Sequence, residues 1–157
     1  MSEMLGNQYF MARNFKAAIP VFENALLKDP QNKAIQKKLI ICYLTSDSYF
    51  RALNLFHSLV KEDIEFIANT NVELDDCPCP EIIEKTKSRL SFGENSFEMN
   101  LSLGMLWLYC DINNSILYFK EALDQEPQNP VIKEILEIEL FYKNKTNMIQ
   151  KSEAIHD

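Results

Sequence analysis

The chain has 157 residues, 46% of them hydrophobic, with a net charge of -7 and a pI near 4.9. That length supports one core burying roughly 70% of the unfolded surface. The acidic balance, with no dense Lys/Arg run, argues against a nucleic-acid partner.

The N-terminal stretch MSEMLGNQYFMARNFKAAIP carries polar and charged residues throughout and lacks the apolar region of a secretory signal, so export is not expected. The four cysteines are then expected as reduced thiols rather than as a disulfide framework, and the location as cytoplasmic. Within the same stretch a helical pattern begins with Leu5, Tyr9, Ala18, Phe22 and Ala25. It returns 34 residues later as Leu39, Tyr43, Ala52, Phe56 and Leu59. A constant offset of this size is the mark of a repeat architecture. Asp29-Pro30 ends the second helix of the first unit, because a residue before proline is pushed out of the α region.

After the second unit the repeat is interrupted over about residues 65–95. Phe56 and Phe119 occupy equivalent places 63 residues apart, 29 more than one repeat. Within the interruption, PEIIEKTKSRL predicts a helix over 80–90, with Pro80 in its first turn, Glu81 and Glu84 at the positive end of its dipole, and Ile82, Ile83 and Leu90 on one face. Cys77 and Cys79 precede it on either side of Pro78. Their simplest reading is as small packing groups at a stiffened helix entrance. A metal site using Asp75 and Asp76 as well lacks further donors nearby, and a redox pair lacks a basic neighbour and the usual two-residue spacing.

The pattern resumes as Leu103, Gly104, Trp107, Ser115, Phe119, Ala122 and Pro127. The window LSLGMLWLYC, 101–110, is too short to span a bilayer, so no membrane association is expected. The helix containing it is apolar on nearly all sides, so its exposed face must be covered by the interruption or by a partner. Asn129-Pro130 then forms an N-cap and first-turn pair for a final helix over about 130–144. Val131, Ile135, Ile138 and Phe141 lie at helical spacing to cover the end of the stack. Residues 146–157 read as a tail.

These motifs, LGNQYF with AAIPVFENALLKDP and LGMLWL with SILYFKEALDQEP, resemble the tetratricopeptide repeat family. The second unit departs from the pattern, with Ile40, Leu59 and Ile64 where Gly, Ala and Pro are usual. The resemblance implies an all-α domain over 1–145. Repeats fall at about 1–30, 33–62 and 96–127, with an inserted helical segment and a C-terminal capping helix. Small residues would let paired helices approach closely while aromatics fill the space beside them.

In this family the first helix of each repeat lines a concave groove that holds peptides. Carried onto this chain, the groove positions are Asn7, Phe10 and Met11, with Glu3 before them; Lys37, Ile41, Leu44 and Thr45, with Lys38 beside them; and Leu101, Met105, Leu108 and Tyr109. The family's carboxylate clamp does not carry over, since Glu3 stands where a lysine is expected and Lys38 where an asparagine is. The same side chains could instead pack on the inserted segment.

The reading is a non-catalytic interaction module or adaptor for a protein or peptide partner, with no cofactor. Only His57 and His156 could serve as a catalytic base, and no glycine-rich phosphate loop is present. Gly6 and Gly104 suit close helix packing, and Gly93 a turn. A secretion chaperone of the type III class is the alternative, weakened by the interruption. A cysteine-based metal or redox sensor is a third. An exposed apolar groove could also close by self-association.

Overall fold

Helical hairpins follow one another along the chain in the computed structural model, which describes residues 2–89 and 95–156. Helix α1 (Ser2–Met11) pairs with α2 (Phe15–Lys28), and α3 (Lys33–Thr45) with α4 (Tyr49–Asp63). The insertion follows as a short α5 (Glu65–Ala68), a turn-rich segment and α6 (Cys79–Lys87). The third hairpin is α7 (Phe97–Trp107) with α8 (Ile112–Gln125), and α9 (Pro130–His156) ends the array. Among the described residues there is no strand.

Local chemistry sets these boundaries. Asn14, Asn32, Ser96 and Asp111 each accept a backbone N–H at the start of the following helix, and Asn129 accepts from both Val131 and Ile132. Such caps satisfy donors that have no partner within the helix. The corners after α1 and α3 place Arg13 and Asp47 at φ 60° and 61°, a left-handed conformation that reverses the chain within a few residues.

The repeated small and aromatic residues meet as their spacing requires. A Cβ on Gly6 would lie 2.5 Å from the Phe22 ring, and one on Gly104 3.0 Å from the Phe119 ring, so a side chain at either place would require the ring to shift. Phe22, Phe56 and Phe119 are fully buried. Phe56 and Phe119 rings lie 5.7 Å apart and join the second hairpin to the third, where α4 packs on α7. The interior is therefore continuous from the first hairpin to α9, despite the intervening insertion.

Three features differ from the sequence reading. Helix α6 ends at Lys87, with Ser88 as its cap; Leu90 and the turn around Gly93 lie outside the described residues. Helix α9 continues through the expected tail to His156. Its buried face is Ile132, Ile135, Leu136 and Glu139 rather than the stripe ending at Phe141, which is 73% exposed. The helix is rotated so that a carboxylate occupies the core-facing place one turn after Ile135.

Glu139 is wholly buried. Its Oε1 lies 3.0 Å from Ser115 Oγ, which is itself 2.6 Å from the Gly104 carbonyl. Ser115 has one hydroxyl proton. When the carbonyl receives it, the contact to Glu139 requires the carboxyl to carry its own proton and donate. Burial raises the Glu139 pKa to about 8, with the Ser115 hydrogen bond acting weakly the other way.

Candidate functional site

The groove expected along the first helices is covered over much of its length by the inserted segment. Helix α6 lays Cys79, Ile82, Ile83 and Thr86 against the interior, packing on α7. Of the two ways to cover the apolar α7, the chain uses its own insertion. Leu101, Met105 and Leu108 are consequently core residues, each no more than 1% exposed. Leu44 is buried too, and Thr45 turns its hydroxyl back to the Cys42 carbonyl. Met11 points to solvent at 66% exposure.

What remains of the groove is one pocket of about 360 Å³. Phe10 from α1 and Ala34, Lys37, Lys38 and Ile41 from α3 form its floor and one wall. Phe66 and Thr70, together with Leu74, Asp75 and Cys77, close the other side, and Tyr109 forms the end. Five expected groove residues, Phe10, Lys37, Lys38, Ile41 and Tyr109, thus come together, and Asn7 joins them by accepting a hydrogen bond of 2.8 Å from Lys38 Nζ. The insertion residues were not anticipated as lining. The acidic pair Asp75-Asp76 was the signal available, as a match for the basic groups opposite.

Tyr109 holds the pocket's end in place. It is buried, and its hydroxyl donates to the Lys37 carbonyl at 2.6 Å, linking residues 72 positions apart. Burial raises its pKa well above the usual value, so it remains a donor. Lys37 Nζ lies 5.3 Å from the centre of the Phe66 ring and 3.8 Å from Asp75 Oδ2. Burial lowers the Lys37 pKa and the Asp75 carboxylate partly restores it. Lys38 also stands over Phe10, at 5.9 Å. The two ammonium groups are therefore held at an aromatic-lined opening, a setting that attracts anions and accommodates apolar groups.

The wall formed by residues 71–77 is anchored at both ends. Asn71 Oδ1 accepts from the N–H groups of Glu73 and Leu74, and Asp75 Oδ2 from that of Asn71, folding the segment on itself. Arg13 then grips it from α1's corner, donating to both Asp76 oxygens at 3.3 and 3.4 Å, with Glu81 3.8 Å away. Each pair is partly exposed and individually weak, but together they fix the segment over the groove.

The expectation of free thiols is corrected at one place. Cys77 and Cys79 are bonded to each other, with Cα atoms 5.3 Å apart, because Pro78 turns the chain (φ -80°, ψ 10°) so that both sulfurs face the same way. A link across one residue constrains only its own turn. Cys42 and Cys110 are free. Cys42 is buried, which pushes its pKa up to about 12, and Cys110 is exposed. Among the described residues no three His, Cys, Asp or Glu side chains converge as a metal site.

His57 is partly buried against α9. Its Nε2 lies 3.0 Å from Glu134 Oε2, and Lys61 Nζ lies 3.2 Å from Glu134 Oε1. These hydrogen bonds lower the Glu134 pKa, that from Lys61 most. The pair belongs to the docking of α9 rather than to the pocket.

No described helix is long and apolar enough to cross a membrane. In comparison with known proteins, residues 9–63 match the family model described as tetratricopeptide repeat. Neither the curated proteins nor the solved structures contain a match to the chain.

Proposed function

We propose that this chain, whose residues 9–63 match the tetratricopeptide repeat model, is a non-catalytic adaptor, since such repeats generally mediate protein–protein interaction. On this reading a partner segment docks at the pocket between α1, α3 and the insertion. The observation that carries the proposal is the arrangement of Lys37 and Lys38 at an opening walled by Phe10, Phe66 and Tyr109. A volume of about 360 Å³ admits one large side chain with part of its backbone, not a whole helix. The partner therefore presents an apolar anchor beside a carboxylate. Asp75 beside Lys37 supplies an internal example of the same charge pairing.

Binding selections with a peptide library on the full chain test this. Peptides with an apolar residue next to an acidic one should be enriched. Ala34→Phe, which fills the pocket from α3, should weaken their capture at least tenfold, on the order of 1.4 kcal/mol. Lys37→Glu should do the same by reversing the charge. Enrichment of peptides that bind both variants as well as the parent chain would show that the partner docks elsewhere.

A further inference from the structure

The segment that walls the pocket has little to bury. Residues 71–77 read NVELDDC, and no side chain from 68 to 77 is buried. Their backbone hydrogen bonds close on themselves, the Asp75 N–H donating to the Asn71 carbonyl and the Cys77 N–H to the Val72 carbonyl. The points on either side are fixed. Asn69 Oδ1 accepts from the Tyr142 hydroxyl of α9 at 3.1 Å, and Cys79 is buried at the start of α6. Residues 71–77 are therefore a preformed strap slung between two anchors, able to move as a unit.

Charge holds the strap down. Among the described residues its ion pairs to the body are Arg13–Asp76 and Lys37–Asp75. Both are partly exposed, so each is weak and screened by salt. Asp76 also sits at φ 48°, a left-handed conformation that a residue with a side chain keeps only when its surroundings impose it. Here the two hydrogen bonds from Arg13 impose it. The closed position is thus only slightly preferred.

The strap's own contact copies the ligand inferred above. Leu74-Asp75 is an apolar residue beside a carboxylate; Asp75 already lies 3.8 Å from Lys37, while Leu74 stays 85% exposed and leaves the pocket open. Lys38 bonds instead to the neutral Asn7, with no carboxylate on it among the described residues. An incoming carboxylate meets Lys38 first and then exchanges with Asp75 on Lys37. Resting on the docking reading above, we propose that residues 71–77 are an autoinhibitory strap. Asp75 is an internal competitor for Lys37, and the partner displaces it, swinging the strap out and widening the site along α3.

Nitrogen-15 relaxation on the full chain tests this. Arg13→Asn removes the grip on Asp76 from outside the pocket lining, and asparagine accepts the φ of 60° at that corner. Without any ligand, it should lower the backbone order parameters of residues 71–77 from roughly 0.85 to below about 0.6, leaving α3 and α7 unchanged. The binding probe is the capped peptide Gly-Ser-Leu-Asp-Ser-Gly. Arg13→Asn should tighten its binding at least threefold, since a site closed most of the time binds with reduced apparent affinity. Saturating the parent chain with the peptide should loosen residues 71–77 in the same way. A strap that stays ordered in Arg13→Asn, or under bound peptide, overturns the proposal. So does weaker binding to Arg13→Asn, which would make the strap a needed wall. A peptide that binds no form of the chain, or binds Lys37→Glu as well as the parent, overturns the docking reading itself, and the gating with it, even where the strap loosens.

Discussion

Replacing Glu139 by glutamine should stabilise the protein by an amount that grows with pH. The folded chain holds Glu139 buried with a pKa of about 8, against a usual value of 4.5. Because the folded pKa is raised, the unfolded chain releases this proton first. Stability therefore falls by about 1.4 kcal/mol per pH unit between pH 4.5 and 8, and levels off above. The full difference is about 5 kcal/mol, and water drawn in by the ionised group reduces it, to as little as about half. Glutamine is close in shape, cannot ionise, and can donate its amide to Ser115 Oγ while Ser115 donates to the Gly104 carbonyl. Urea unfolding of both proteins at pH 5, 6, 7 and 8 isolates the effect, since every other titrating group is shared. A gain for Glu139→Gln that rises from under about 1 kcal/mol at pH 5 to about 2–5 kcal/mol at pH 8 is the expected result. A difference that does not change with pH would refute the assignment of a protonated carboxyl to this place.

Gly104→Ala should destabilise by about 1–2 kcal/mol: the new methyl would press on the buried Phe119 ring at 3.0 Å, outweighing alanine's better helix propensity. Thermal melting would detect it. Asn129→Ala should cost about 1 kcal/mol by leaving the first N–H groups of α9 without their cap, measured by the same means. Pro20 sits exposed inside α2 and withholds a hydrogen bond from it. Pro20→Ala should therefore raise stability by about 1–2 kcal/mol, the gain in the helix exceeding the loss of unfolded-chain restriction.

The hairpins were legible because each depends on residues close in sequence and repeated at a fixed interval. A glycine facing a phenylalanine, an asparagine before a helix and a proline after one each carry their meaning locally. That α7 needed a cover was also legible, from its lack of a polar stripe. Where the cover runs was not, because its anchors are isolated pairs such as Arg13–Asp76 and Lys37–Asp75 between distant segments, with no periodicity to announce them. The same applies to the pocket: Phe66 and Thr70 carry no groove motif, and they become lining only once α5 turns the chain back over α3. Glu139 was hidden for a different reason. A carboxylate in a helical pattern ordinarily marks the solvent side, so apolar spacing alone placed the buried face of α9 one step away, on Phe141. His57 likewise acquires its place only from Glu134, 77 residues later.

The fold-back of the insertion across the groove decides how large the binding site is, and proton–proton nuclear Overhauser effects on the isotope-labelled chain test it most directly. Cross-peaks from the Phe66 ring to the Lys37 side chain, and from Tyr109 to Lys37, should appear together with contacts between Ile82 or Ile83 and α7. An absence of these cross-peaks, with Leu101, Met105 and Leu108 exchanging freely with solvent-borne relaxation agents, would mean an open groove and would contradict the account.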